Sequence, residues 1–258
     1  MRFRNQHVLV VGGTGGIGLE TVRRFLSEGA QVAVIGVESE DQLSDEQKHV
    51  LSSPDVIHVQ ADAASTQQMN HAAAKLEGIQ KRLDVLVHVA GISARRFGDG
   101  PLDQCSEEGW DRAMSVNVKS VYNSNRIALK RMLEQREGGV IVNISSVLGM
   151  VGVRDHFTTH AYAASRGAVI SLTKSAAVYY AKNNIRMNVV CPGLLDTPMS
   201  QRAISDPVIC EALTEFQPLA PHVGYPNDVA SAILFLASQE AKFMTGIALP
   251  VDGGWSAQ

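Results

Sequence analysis

The stretch from His7 to Leu26 changes from strand-like to helical composition, and this change constrains the fold more than any other feature. Val8–Val11 are consecutive, apolar and mostly β-branched, which predicts a buried parallel strand. The glycines that follow are Gly12, Gly13, Gly15, Gly16 and Gly18. A glycine turn between a strand and a helix lets the backbone approach a pyrophosphate, and the helix N-terminus attracts its charge. The stretch therefore predicts a dinucleotide site rather than a flexible loop.

Composition narrows the class of protein. The chain has 258 residues, 45% hydrophobic and 19% charged, which predicts one α/β domain over residues 1–258. A net charge of −3 gives no electrostatic reason to expect a nucleic acid or an anionic membrane as partner. No apolar run is long enough to span a bilayer. The three cysteines are widely spaced, which predicts reduced thiols and a cytoplasmic protein, and we predict no metal site.

Further motifs follow the glycine turn along the chain. The predicted strand Val140–Ser146 delivers hydroxyl groups at its carboxyl end. Tyr162 then opens a helix, and Arg166 lies one turn later on the same helical face. A positive charge at that spacing stabilises a phenolate, as proton transfer by a tyrosine requires. A third motif, a proline–glycine turn at Pro192, follows the sixth predicted strand.

The order of these motifs resembles that of the classical short-chain dehydrogenase/reductase family over the whole chain. The resemblance implies a doubly wound, mainly parallel seven-stranded sheet of the Rossmann type with helices on both faces. It also implies hydride transfer between a nicotinamide cofactor and a secondary alcohol or ketone. In that reaction Tyr162 would move the proton and Ser146 would orient the oxygen. Asn117 would hold a water for a proton relay, and Arg166 would hold the nicotinamide ribose.

The resemblance further implies which residues bind the dinucleotide. Asp62 would hold the adenine amino group, and the turn from Pro192 to Thr197 would border the nicotinamide. The full implied set is Gly12, Thr14, Gly16, Ile17, Gly18, Glu38, Asp62, Ala63, Ala90, Gly91, Tyr162, Arg166, Pro192, Gly193, Leu195 and Thr197.

The end of the second predicted strand, Gln31–Gly36, indicates which dinucleotide is bound. An acidic residue there binds the ribose hydroxyls, whereas a basic residue accepts a 2′-phosphate. Glu38 follows this strand, and no cation occurs at positions 13 to 15 or 36 to 47. We therefore expect NAD rather than NADP.

Four positions depart from the family pattern, and they leave a second function open. Val11 replaces a threonine, His88 and Val89 replace two asparagines, and Arg166 replaces a lysine. These departures would suit a catalytically weak dinucleotide-binding sensor or interaction protein on the same fold. The presence of the tyrosine, serine and asparagine of the catalytic set favours an enzyme. We expect His88 to be a hydrogen-bonded structural residue rather than a catalyst.

We expect the substrate to be determined by a lid and by the longer segment between Ser146 and Tyr162. Residues from about 198 to 225 lack strong periodicity, and we interpret them as a substrate lid. The charged residues expected near the cavity mouth are Arg95, Arg96, Arg154, His156 and His160. They suggest an anionic substrate, although solvated loop charges remain the alternative.

We also expect a homodimer or homotetramer. The helices that begin near Ser106 and at Tyr162 carry more apolar residues than one sheet face can cover. Members of the resembling family pair the equivalent helices.

Overall fold

The computed structural model describes residues 1–79, 82–152 and 155–258. In these residues seven strands form one parallel sheet in the order β3-β2-β1-β4-β5-β6-β7. The strands are β1 (His7–Val11), β2 (Gln31–Gly36), β3 (Val56–Gln60), β4 (Val85–His88), β5 (Gly139–Ile144), β6 (Ile185–Pro192) and β7 (Ala248–Val251). The predicted doubly wound sheet is confirmed.

Helices cover both faces of this sheet. In chain order they are α1 (Gly16–Ser27), α2 (Asp45–Leu51), α3 (Thr66–Glu77), α4 (Glu107–Met114), α5 (Ser120–Gln135), α6 (His160–Tyr180), α7 (Gln201–Ile204), α8 (Pro207–Phe216) and α9 (Pro226–Ala237). Helices α1 and α9 pack together on one face, and α3 and α5 pack together on the other. Among the described residues, none of the helices combines the length and apolarity needed to cross a membrane.

The central strand shows why the sheet needs both layers. Val8 and Val10 of β1 point into the core beneath α1 and α9, whereas Leu9 and Val11 point into the core beneath α3 and α5. All four are at most 4% exposed. Side chains of a strand alternate between faces, so a continuous apolar run must be covered on both.

Three helices, α2, α7 and α8, were not predicted, although α2 and α8 each have a recognisable start. Helix α2 begins with a capping box in which Ser44 and Gln47 bond each other's backbone. Helix α8 lies within the predicted lid, and the carboxylate of Asp206 caps it just before Pro207 at the first helical position. The lid is therefore partly helical rather than irregular.

Two predicted helices end differently in the structure. Helix α3 starts as predicted, with Ser65 accepting a hydrogen bond from the Gln68 amide at 3.3 Å, and ends at Glu77. Its predicted end at Lys81 lies outside the described residues. The single helix expected from Ser106 to about residue 136 is interrupted, because residues 115–119 form a π-helical turn between α4 and α5. A π-helical turn inside a helix often marks a functional site.

The strand order places the crevice. The chain leaves β1 toward β2 on one side, and β4 lies on the other side of β1. Loops that leave two neighbouring strands in opposite directions open a crevice at their carboxyl ends, where ligands of such sheets bind.

Candidate functional site

A cavity of about 480 Å³ opens at this crevice. Most of the site residues predicted from the sequence line this cavity. They are Gly12, Thr14, Gly16, Ile17, Glu38, Asp62, Ala63, Ala90, Gly91, Ser146, Tyr162, Arg166, Pro192, Gly193, Leu195 and Thr197. Two predicted site residues, Gly18 and Asn117, do not line it. The structure thus brings most of the residues predicted for catalysis and for dinucleotide binding together in one cavity.

The glycine turn approaches the neighbouring strand too closely for a side chain. A Cβ at Gly12 would lie 2.5 Å from the backbone nitrogen of Ala90, and Gly12 has a φ of +82°. A Cβ at Gly18 would clash with the carbonyl oxygen of Gly12, so Gly18 acts by letting α1 start against the turn. This cradle, directly before a helix N-terminus, fits a dinucleotide pyrophosphate.

Glu38 is tied to the glycine turn. The Thr14 hydroxyl donates a hydrogen bond of 2.6 Å to Glu38 Oε2, and both residues line the cavity. A Cβ at Gly36 would lie 2.8 Å from the Thr14 hydroxyl, so a side chain at that position would disrupt the pair. Position 36 therefore has no room for an acidic side chain, and the Glu38 carboxylate is the acidic group at the end of β2.

The edge of the cavity beyond β3 is formed by the turn at Asp62. Asp62 Oδ1 accepts the amide of Ala64 at 2.8 Å, and the Gln68 side chain accepts the amide of Asp62 at 2.8 Å. From α5, the Asn123 side chain donates to the Ala63 carbonyl at 2.9 Å. Helix α5 therefore holds the backbone of a predicted adenine-binding segment.

Arg166 is a buried cation. It is 3% exposed, and its guanidinium carbon lies 4.9 Å from the centroid of the Tyr162 ring. One guanidinium nitrogen donates to the Ile144 carbonyl at 3.3 Å, while the buried Nε has no hydrogen-bond partner among the described residues. A Cβ at Gly91 would lie 3.1 Å from the guanidinium carbon, so glycine there makes the space that arginine occupies.

The helix that carries Tyr162 is capped by a residue that sequence reasoning missed. Asp99 accepts the amides of Ala161 at 3.0 Å and Tyr162 at 2.9 Å through its two carboxylate oxygens. The adjacent residue before α6, Thr159, makes no side-chain cap. Free amides and the helix dipole both favour an anion at this end. Asp99 thereby fixes the loop after β4 to the start of the tyrosine helix.

Asn117 acts from behind the cavity. It is fully buried in the π-helical turn, and its side chain accepts the Ile92 amide at 2.8 Å and donates to the Ile92 carbonyl at 3.1 Å. It also donates to the Ser165 hydroxyl at 3.0 Å. Asn117 therefore links the chain after β4 to the residue that precedes Arg166.

The serines at the end of β5 have separate partners. The Ser146 hydroxyl lines the cavity and accepts the amide of Leu148 at 3.2 Å, which leaves its proton free to be donated. The Ser145 hydroxyl donates to the Arg166 carbonyl at 2.8 Å. Both serines line the cavity, and Ser145 also bonds the backbone of α6.

His88 is the structural residue that we expected. It is fully buried, its Nδ1 lies 2.8 Å from the Ser124 hydroxyl, and its Nε2 lies 3.2 Å from the Ala90 carbonyl. Because a carbonyl can only accept, Nε2 carries the hydrogen and the imidazole is neutral. Burial, and then the positive charge of Arg166, lower the pKa of His88 to about 3.

The segment predicted as a lid packs against residues that line the cavity. Ala203 of α7 and Leu213 of α8 are buried against Phe157 and Trp255, and both aromatic residues line the cavity. The Gln217 side chain donates to the Leu194 carbonyl at 3.2 Å, so the end of α8 also supports the turn after β6.

The charged residues predicted near the mouth are not gathered as a group. Arg95 lines the cavity, whereas Arg96 stacks on Phe97 with its guanidinium carbon 4.7 Å from the ring centroid. His156 and His160 do not line the cavity, and Arg154 lies outside the described residues. Arg202 of α7, which sequence reasoning missed, lines the cavity with Arg95.

Comparison with known proteins places this geometry among oxidoreductases. A family model described as enoyl-(acyl carrier protein) reductase matches residues 12–256. The 2-(R)-hydroxypropyl-CoM dehydrogenase of Xanthobacter autotrophicus is 37% identical over 250 residues, which are 96% of this chain and 98% of that protein.

Solved structures agree in fold over the whole chain. A short-chain type dehydrogenase/reductase from Mycobacterium ulcerans superposes with a TM-score of 0.90 at 27% identity, covering 100% of this chain and 92% of that one. A variant of ElxO with NADPH bound superposes with a TM-score of 0.87 at 32% identity, covering 98% and 99%.

Acidification should destabilise the protein through His88. The folded pKa of about 3 lies below the ordinary value of 6.5, so between these values the unfolded chain binds a proton that the native imidazole does not. This contribution to stability is therefore complete above pH 6.5 and falls by about 1.4 kcal/mol per pH unit below it. We expect His88→Asn to remove this part of the pH dependence of the free energy of unfolding, measured by urea denaturation.

The matched control is His71→Asn, since His71 lies on an exposed face of α3. The free energy of unfolding of this variant should depend on pH as that of the natural protein does. An equal slope for His88→Asn and the natural protein would contradict the assignment.

Proposed function

The chain belongs to the short-chain dehydrogenase/reductase family of oxidoreductases acting on CH–OH groups, and on this premise we propose that it interconverts a secondary alcohol and a ketone with NAD(H), using Tyr162 as the acid–base group. The observation that carries the proposal is the pairing of Tyr162 with the buried cation Arg166 beside Ser146 in one cavity. The relative from Xanthobacter is named for a 2-hydroxypropyl substrate, which is itself a secondary alcohol.

The glycine cradle and the cavity walls would hold the dinucleotide. In this proposal Gly12, Gly16 and Ile17 bind the pyrophosphate, Glu38 the adenosine ribose, and Asp62 with Ala63 the adenine. Gly91, Pro192, Gly193, Leu195 and Thr197 border the nicotinamide. A bound nicotinamide would supply the acceptor for the hydride of the alcohol carbon and, in the reverse direction, the hydride donor for the ketone carbon.

The remaining chemistry belongs to the side chains of this chain. The Ser146 hydroxyl orients the substrate oxygen by a hydrogen bond. During oxidation Tyr162, as a phenolate, takes the proton from that oxygen while the carbon loses its hydride, and during reduction it returns the proton. A cation over an aromatic face is attracted to it, and the charge of Arg166 stabilises the phenolate further. A guanidinium keeps this charge at any working pH.

Asn117 supports this arrangement without touching the substrate. Its bonds to Ile92 and Ser165 set the distance between the chain after β4 and α6. We infer that it positions Tyr162 and Arg166 through that contact. The proton relay through a water at Asn117 stays a prediction.

The compartment is a separate proposal. All three cysteines, Cys105, Cys191 and Cys210, are free. Burial raises the pKa of Cys191 to about 11, so this thiol stays protonated and unreactive. Free thiols suit a reducing compartment, which supports the cytoplasmic location expected from the sequence.

The catalytic assignment predicts a specific loss of turnover. Tyr162→Phe should lower kcat by roughly 100-fold or more, because it removes the proton-transfer group, while calorimetric NAD binding stays within a few-fold. Arg166→Lys should stay active with a displaced pH optimum, whereas Arg166→Met should lose most activity. The control is Tyr225→Phe, whose ring is exposed outside the cavity.

An unchanged kcat in Tyr162→Phe would remove the tyrosine from the mechanism. If the natural protein binds NAD but turns over no alcohol, and Arg166→Lys restores turnover, the sensor hypothesis is correct instead.

NADH should bind more tightly than NADPH. A 2′-phosphate beside the Glu38 carboxylate, with no cation among positions 13 to 15 and 36 to 47, should lose affinity by about 5- to 150-fold. Glu38→Gln should narrow this ratio in a calorimetric titration, because it removes the charge and keeps an acceptor for Thr14.

Glu40→Gln is the matched control, since Glu40 is exposed and lies outside the cavity. The ratio of NADPH to NADH dissociation constants in this variant should equal that of the natural protein. Equal or tighter binding of NADPH by the natural protein would contradict the proposal.

We propose self-association through α5 and α6. Tyr122 on α5 is 50% exposed, and Val178 and Tyr179 on α6 are 79% and 62% exposed. These side chains lie on the two helices that we expect to pair, where a second subunit would cover them. Light scattering at micromolar concentration should show the mass of a dimer or tetramer. Val178→Glu should lower the measured mass toward that of the 27.8 kDa monomer. Val208→Glu on α8, with Val208 also exposed, is the control, and a monomeric natural protein would refute the interface.

A further inference from the structure

Two arginines reach the substrate end of the cavity from different elements. Arg95 lies in the short turn of residues 94–97 after β4, and Arg202 lies in α7 of the lid. Both line the cavity that contains Tyr162 and Ser146. Burial, and then repulsion by Arg202, lower the pKa of Arg95, so the two positive charges are close enough to repel each other.

Neither positive charge is neutralised by the residues that the structure describes. Arg95 donates one hydrogen bond, to the His156 carbonyl at 3.0 Å, and makes no ion pair with a described carboxylate. Arg202 makes neither a hydrogen bond nor an ion pair with any described residue. Asp99 attracts Arg95, but its two oxygens are engaged by the amides at the start of α6.

Both arginines stand on anchored backbone. Ala94, the neighbour of Arg95, is fully buried, and Ala203, the neighbour of Arg202, is 7% exposed within the cluster of Phe157 and Trp255. The backbone that carries the two positive groups is therefore anchored, while the Arg95 side chain is half-buried and the Arg202 side chain is exposed.

Large apolar side chains line the same cavity as these arginines. They are Leu148, Phe157, Met199 and Trp255. A substrate that combines an apolar body with a group that two cations attract would match this lining.

We propose that the substrate is a secondary alcohol or ketone that ends in an oxyanion, a carboxylate or a sulfonate, bound by Arg95 and Arg202. An arginine fork matches such an oxygen pair with two parallel hydrogen bonds. The anion relieves the repulsion between the two cations, whereas a neutral group would leave it in place. This inference rests on the proposed alcohol–ketone reaction and names its substrate class.

Turnover by charged and neutral substrates of the same shape tests the proposal. The probes are 4-hydroxypentanoate, its amide, and 2-hydroxypropane-1-sulfonate with its sulfonamide. The natural protein should show a kcat/KM at least 10-fold higher for an anion than for its neutral partner, as hydrogen bonds to charged groups predict. Comparison of kcat/KM between the carboxylate and the sulfonate identifies which oxyanion is preferred.

Arg202→Gln should lower the ratio of anion to neutral kcat/KM by about 10- to 100-fold, and Arg202→Lys should retain part of it. Arg96→Gln is the matched control, because Arg96 neighbours Arg95 in sequence but stacks on Phe97 outside the cavity. Its ratio should equal that of the natural protein. A ratio near one in the natural protein, or an unchanged ratio in Arg202→Gln, overturns the proposal.

A binding measurement separates this proposal from the reaction itself. The ketone 4-oxopentanoate cannot be oxidised by NAD, so calorimetry on the protein saturated with NAD reports its binding without turnover. If 4-oxopentanoate binds more tightly than 4-oxopentanamide, and Arg202→Gln removes this difference, the anion site is supported. This holds even if no probe alcohol is turned over, and in that case only the proposed reaction fails. Equal or absent binding of the acid overturns the site, even if neutral alcohols are turned over and the proposed reaction stands.

Discussion

A positive charge buried behind the carboxyl ends of the strands is the constraint that the rest of the site accommodates. Arg166 is 3% exposed and has no carboxylate partner among the described residues. An isolated charge is costly in a protein interior, so its neighbours have to reduce that cost. Gly91 leaves it space, Ile144 accepts a hydrogen bond and the Tyr162 ring faces it, while His88 stays neutral. The charge is thus kept available for a negative group in the cavity.

Two polar side chains hold the tyrosine helix against the chain that follows β4. Asp99 binds the amides at the start of α6, and Asn117 joins Ile92 to Ser165. Residues 115–119 form a π-helical turn, in which the side chains point in other directions than in a regular α-helix, and Asn117 is thereby directed inward. The geometry of the catalytic pair is therefore set by contacts between distant segments and not by α6 alone.

The parts of the molecule that could be predicted are those with local signals. The strand, glycine turn and helix around Gly12 follow from composition and spacing, and the order of later motifs identifies the fold. Helices α2 and α8 also had local signals, a capping box at Ser44 and an Asp-Pro start at Asp206, that were not used. The roles of Asp99 and Arg202 could not be predicted, because each depends on a neighbour brought close only by folding.

The cap at Asp99 also determines which parts of this scaffold can be exchanged. The loop of residues 93–100 carries both a cavity arginine and the carboxylate on which the start of α6 depends. Replacing that loop as a module would uncap the helix that presents Tyr162, so loop grafting there would change stability along with selectivity. The lid around α7 carries Arg202 and Met199 without any described contact of that kind to α6. For an engineer, exposed positions of α7 such as Arg202 can be changed without removing the cap of α6, whereas Ala203 belongs to the buried cluster of Phe157 and Trp255.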